Sequence, residues 1–96
     1  MDDPVLASYR ERISAADDGV LQAVNHRLQL VAELHAHKRR HDLPLFDAAR
    51  EQDVVARAVA RNGGPLSEDG VRQLYALLLP LCTAEAARLG EEAAPA

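Results

Sequence analysis

The chain has 96 residues, of which 48% are hydrophobic and 27% are charged, so its length allows one small globular domain. Its net charge of −4 argues against a nucleic-acid or anionic-membrane partner, and no apolar run approaches the roughly 20 residues that span a bilayer. The first residues contain no apolar signal-peptide core, and a single Cys excludes an internal disulfide. We therefore expect a soluble cytoplasmic protein with an aliphatic core, since only 3% of the residues are aromatic.

The first predicted element is a long helix from Pro4 to about His41. Proline is favoured in the first turn of a helix, and Pro44 disfavours helical geometry at the residue before it. The apolar residues recur every three or four positions with one gap, at Leu6, Tyr9, Ile13, Ala16, Val20, Val24, Val31 and Leu34. At ~1.5 Å per residue this helix is about 55 Å long, more than the diameter of a globule of this size. We therefore expect a second copy of the chain to cover part of the apolar stripe.

Two shorter helices follow. Asp47 is typical of an N-cap and predicts a second helix from Ala48 to about Arg61. The segment Asn62-Gly63-Gly64-Pro65 is a clear break. Ser67 then predicts the cap of a third helix, which ends near Gly90.

These elements predict an all-α fold with three helices per chain: one very long, one short and one of medium length. The expected assembly is an intertwined homodimer. The helical domain covers residues 1–90, and residues 91–96 are expected to form a flexible C-terminal tail.

Two cations lie on the apolar stripe of the first helix. Arg27 occupies the gap in the stripe, and Lys38 continues it after Leu34. They lie about three turns apart on the same face, roughly 16 Å from each other. Buried cations are costly unless they are paired. Helical spacing alone leaves two interpretations open: ion pairs within the protein, or a pocket that binds an anion.

Several segments resemble the all-helical class of chorismate mutases. The resemblance rests on Tyr9-Arg10-Glu11-Arg12-Ile13-Ser14, Asn25-His26-Arg27, Lys38 and Pro44-Leu45-Phe46-Asp47-Ala48-Ala49-Arg50-Glu51. The register of these segments has no gap from Arg10 to Glu51. The Gly-Gly-Pro break and the third helix extend the resemblance over nearly the whole chain.

The resemblance implies an enzyme that rearranges the dianion chorismate to prephenate, for aromatic amino acid synthesis, by electrostatic stabilisation and without a cofactor or metal. It implies catalytic roles for Arg27, Lys38 and Glu51. Arg27, Arg50 and Arg10 of a partner chain would bind the carboxylates, so the homodimer would share its active sites. Lys38 would face the ether oxygen. Glu51, with the backbone near Asp47, would bind the substituent at C4.

The third helix departs from the family pattern. Many members have a Ser and, four residues later, a Gln that contacts the ether oxygen, whereas this chain has Cys82 and Ala86 at those positions. We assign both to the substrate-binding wall, with Cys82 as a small buried side chain. The helical register favours Ala86 rather than Glu85 facing the site.

Other functions remain open. A 4-amino-4-deoxychorismate mutase of antibiotic-type biosynthesis would use the same residues, because Glu51 can accept a hydrogen bond from a hydroxyl or an ammonium group. A non-catalytic helical dimerisation or regulatory module is the third alternative. An isochorismate-pyruvate lyase is less favoured, because the Arg50-Glu51 pair is mutase-like. The four histidines lack companion ligands at metal-binding spacing, so we expect no metal site.

Overall fold

The computed structural model describes residues 3–93 and contains three α-helices: α1 (Pro4–Arg40), α2 (Ala48–Arg61) and α3 (Glu68–Ala93). No strand occurs within these residues, which confirms the all-α prediction. None of the helices in this part of the chain combines the length and apolarity needed to cross a membrane.

The helix α1 is capped by a side chain at its N-terminus and by a backbone motif at its C-terminus. The Asp3 carboxylate accepts a hydrogen bond from the Val5 N–H at 2.8 Å. At the other end, Asp42 adopts a left-handed conformation (φ 52°), and the Leu43 N–H donates to the Lys38 carbonyl at 2.8 Å. This is the Schellman arrangement, with Asp in the position that Gly usually takes. It ends the helix before Pro44 is reached.

Side-chain caps also begin the two shorter helices, as predicted. The Arg50 N–H donates to the Asp47 carboxylate at 3.1 Å, and the Gly70 N–H donates to the Ser67 hydroxyl at 3.0 Å. Between these helices, Gly64 has φ 75°, which a side chain would make costly.

The end of α3 differs from the prediction. The helix was expected to end near Gly90, but it passes this residue and continues to Ala93. Gly90 does not adopt the left-handed conformation that ends helices, and Arg88 pairs with Glu92 one turn later at 2.9 Å. Residues 94–96 lie outside the described part of the chain.

The packing leaves half of α1 without a partner. The helix α3 packs against both α1 and α2, and the buried apolar residues of the described chain are Val71, Cys82 and Ala86. Every described residue before Val24 is exposed. The chain measures 60 × 35 × 15 Å, with a radius of gyration of 17.5 Å. A globular chain of this length would have a radius of about 12–13 Å.

Candidate active site

One cavity of about 290 Å³ lies where the C-terminal half of α1, the start of α2 and the later half of α3 meet. It is lined by Arg27, Val31, Leu34, His35, Lys38 and Arg39 of α1, by Leu45, Phe46 and Asp47 of the connecting loop, by Arg50, Glu51 and Val54 of α2, and by Leu79, Cys82, Thr83 and Ala87 of α3. The structure therefore brings together six of the eight residues that the sequence assigned to the site; the other two are Arg10 and Ala86.

The cations of this cavity form no salt bridge within residues 3–93. Arg27 and Lys38 are half-buried, and the Lys38 ammonium donates only a long hydrogen bond, of 3.4 Å, to the Leu45 carbonyl. The salt bridges found in this part of the chain all lie on α3: they join Arg72 to Glu68, and Arg88 to both Glu85 and Glu92. The cations of the cavity therefore have charge available for an anionic ligand, and the interpretation as internal ion pairs gains no support.

The start of α2 supplies both a cation and a carboxylate to the cavity. The Asp47 cap fixes the first turn, where its carboxylate bonds the Arg50 N–H and its carbonyl accepts from the Glu51 N–H at 3.1 Å. Arg50 and Glu51 consequently line the cavity from a defined turn. Glu51 is half-buried and lines the cavity. The other carboxylate that lines the cavity belongs to Asp47, and it already accepts the hydrogen bond of the helix cap.

Positive charge extends beyond the cavity. Arg27 and Arg50 also line an adjoining open groove, together with Arg57 and Arg61 of α2. Within the described residues, none of these four guanidinium groups lies in a salt bridge. Because the whole chain has a net charge of −4, this concentration of cations marks the region as one that attracts an anion.

The wall of the cavity that α3 forms contains one of the two residues that the sequence assigned to it. Cys82 is buried and lines the cavity, as expected, but Ala86 is fully buried in the helix packing and does not line it. Thr83 and Ala87, each one position further along, face the cavity instead. Successive residues of a helix lie about 100° apart around its axis. The rotation of α3 about its own axis therefore decides which side chain faces the cavity.

Glu85 does not enter the cavity. Its carboxylate accepts a hydrogen bond from Arg88 at 2.5 Å, and its side chain is 39% exposed. This placement agrees with the expectation that Glu85 faces solvent.

Comparison with known proteins shows which family the chain belongs to. Residues 9–86 match the family described as chorismate mutase type II. The chain belongs to this family. Two solved structures share the fold at 23% sequence identity, both of chorismate mutase from Thermus thermophilus. Form II has a TM-score of 0.81, with 86% of this chain and 94% of that chain covered; form I has a TM-score of 0.77, with 80% and 96% covered.

Chorismate mutases are isomerases, so membership of the family makes this chain an enzyme of that class. The resemblance seen in the sequence is thereby confirmed at the level of family and fold. The match spans the segments from Tyr9 to the third helix on which that resemblance rested.

Arg10 lies apart from the cavity within one chain. It lines a shallow groove near the start of α1 with Asp3, Glu11 and Ser14. Along the helix it is about 25 Å from Arg27, too far for a shared ligand.

Sequence reasoning missed two ionisable residues that line the cavity, His35 and Arg39. His35 is 8% exposed, and burial together with the charges of Lys38 and Arg39 lowers the pKa of its imidazole. Arg39, which the sequence placed with solvated charge at the helix end, leans against α3 so closely that a Cβ on Gly90 would lie 2.9 Å from its guanidinium. His35 was detectable, because it continues the three-and-four spacing from Val31 to Lys38.

The remaining histidines offer no metal site in the described structure. The rings of His37 and His41 lie close together, with centroids 4.4 Å apart and planes tilted by 42°. Within residues 3–93, no group of three or more His, Cys, Asp or Glu is placed to hold a metal ion.

Proposed function

We propose that this chain catalyses the rearrangement of chorismate to prephenate in the cavity between its three helices. The observation that supports this most is the set of cations around one cavity, Arg27, Lys38 and Arg50, which form no salt bridge within the described residues. Chorismate carries two carboxylates. Arginine suits bidentate binding of a carboxylate, and lysine suits a point contact with a single oxygen.

The reaction itself needs no nucleophile, metal or proton transfer, because it is a unimolecular pericyclic rearrangement. The protein has to hold the diaxial conformer and place cations where the breaking ether bond develops negative charge. Arg27 and Arg50 would hold the carboxylates, and Lys38 would face the ether oxygen. An acceleration of about a millionfold requires roughly 8 kcal/mol, and one well-placed donor supplies about 3–4 kcal/mol.

The complete site would form in a homodimer. The start of α1 exposes a stripe of large apolar side chains: Leu6 is 47%, Tyr9 52% and Ile13 59% exposed. Monomeric proteins rarely leave such a face uncovered. A second copy lying along this half of α1 would cover the stripe and bring its Arg10 to the cavity as a further carboxylate-binding group.

The second candidate substrate is 4-amino-4-deoxychorismate. The half-buried Glu51 carboxylate can accept a hydrogen bond from the C4 hydroxyl of chorismate or pair with an ammonium at that position. The charge of Glu51 favours the ammonium, and this observation keeps the amino substrate as the second candidate.

The test is an assay of both compounds, side by side, with the purified 96-residue chain. We expect chorismate to be consumed with prephenate as the product, and with a higher kcat/KM than aminodeoxychorismate. A higher kcat/KM for the amino compound would assign the second function. If a folded helical protein accelerates neither reaction above the uncatalysed rate, the proposed function is wrong.

A further inference from the structure

His35 is the only polar side chain that is buried within residues 3–93, at 8% exposure. It lies on α1, one turn before Lys38, and both line the cavity. Buried polar groups in proteins are nearly always hydrogen-bonded, so a buried histidine at a ligand cavity calls for an explanation.

The imidazole has no hydrogen-bond partner in the described structure. The side-chain hydrogen bonds found within residues 3–93 include none to its ring. At the same time, no side-chain N or O atom in this part of the chain is fully buried and unpaired. The ring nitrogens therefore keep a small accessible surface. Since His35 lines the cavity, we take this surface to face the cavity.

The α3 side of the cavity is poor in donors. Cys82 is a weak donor, and Ala87 has no polar side-chain atom. The Thr83 hydroxyl already donates to the Leu79 carbonyl at 3.1 Å. The helix wall in which relatives of the family carry a glutamine thus offers no free strong donor of its own to a ligand.

The charge state of the His35 imidazole suits a hydrogen-bond donor rather than a further cation. Burial, Lys38 and Arg39 lower the pKa of His35, which makes the imidazole neutral near pH 7, with one N–H donor and one acceptor nitrogen. The charged residues that line the same cavity are Arg27, Lys38 and Arg39 on its own helix, Asp47 in the connecting loop, and Arg50 and Glu51 on α2. A neutral ring adds a directed hydrogen bond without adding repulsion between cations.

We propose that His35 is a substrate-binding residue, whose imidazole N–H donates a hydrogen bond to an oxygen of the bound dianion and replaces the donor that α3 lacks. This inference rests on the proposed function, since it assigns a further contact in the same cavity. It adds a hydrogen-bond donor to the cations that α1 already supplies to the cavity, Arg27, Lys38 and Arg39.

The test compares two substitutions at this position with one on the same helix outside the cavity. His35→Leu fills the volume without a donor, His35→Gln retains an N–H donor, and His37→Leu changes a histidine that does not line the cavity. We expect His35→Leu to lower kcat/KM for chorismate about tenfold or more, with an unchanged or higher thermal midpoint. His35→Gln should stay within about threefold of the parent chain, and His37→Leu should match it.

The outcomes separate a ligand contact from a packing role. Normal turnover by His35→Leu would overturn the proposal. Equal losses in His35→Leu and His35→Gln, with lowered thermal midpoints, would assign His35 to packing and would also overturn it. The parent chain in the same assay reports on the proposed function: if it is active while His35→Leu is unaffected, only the role of His35 fails.

Discussion

Arg27 and Lys38 project from one face of a single helix into one cavity, and neither forms a salt bridge within residues 3–93. We predict that Arg27→Ala and Lys38→Ala each lower kcat/KM by at least about a hundredfold, because each removes a charge contact from a partly desolvated site. Helix content by circular dichroism should not change. Arg40→Ala is the matched control, since Arg40 is exposed on the same helix and does not line the cavity. Normal turnover in either test variant would contradict the anion-pocket interpretation.

Substitution by glutamine is expected to have opposite effects at the neighbouring positions Ala86 and Ala87. Ala87→Gln places an amide at the cavity wall, and we expect kcat to rise several-fold because a donor is added near the substrate. Ala86→Gln forces a long side chain into full burial and should cost about 1–3 kcal/mol of stability through overpacking. Thermal unfolding and steady-state kinetics on both variants distinguish them. A gain of activity in Ala86→Gln without loss of stability would restore the register expected from the sequence.

Glu85 serves as the reference position on the same helix. Because its carboxylate pairs with Arg88 at the surface, Glu85→Ala should leave kcat/KM nearly unchanged. A large loss of kcat in this variant would show instead that the side chain reaches the substrate.

At the scale of the helix, we expect the N-cap of α2 to affect both the stability of the protein and the activity of the site. Asp47→Ala removes the acceptor of the Arg50 N–H and should cost about 1 kcal/mol. It should also lower kcat/KM, because the first turn of α2 holds both Arg50 and Glu51 at the cavity. Asp47→Asn keeps a capping oxygen and should restore most of both properties.

Ser67→Ala provides the matched control for this coupling. Ser67 caps α3 in the same way, through the Gly70 N–H, but does not line the cavity. We expect a similar loss of stability with unchanged kcat/KM. If both cap variants lose activity in proportion to stability, the Asp47 cap has no specific role in the site.

At the scale of the whole molecule, the separation between Arg10 and the cavity predicts sites shared between two chains. Arg10→Ala and Lys38→Ala chains should each be inactive alone. After exchange of subunits, each mixed dimer would contain one intact site, so about a quarter of the parent activity should return. Sedimentation should show a dimer at working concentration.

A mixture of Arg27→Ala and Lys38→Ala chains is the control for complementation. Both residues line the cavity of the same chain, so no mixed dimer has an intact site and activity should stay absent. Lack of recovery in the first mixture, despite proven subunit exchange, would exclude shared sites. A folded monomer in sedimentation would exclude the dimer.

The helices and their beginnings were predictable because the signals are local. Asp47 and Ser67 cap the helices that they were predicted to cap, and the three-and-four spacing placed Arg27 and Lys38 on one face. The long first helix and its uncovered stripe also follow from the sequence, since no segment of a single chain this short can cover it. Membership of the family followed from spaced residues, not from composition.

Only the tertiary structure decided which side chains complete the cavity. Periodicity shows that Ala86 and Ala87 lie about 100° apart, but the rotation of α3 against α1 determines which of them faces the ligand, and that rotation depends on packing between helices. The same packing buries His35, which pattern alone left among four similar histidines. Gly90 did not end α3, because a glycine ends a helix only where the backbone turns left-handed, and here the following residues continue the helix.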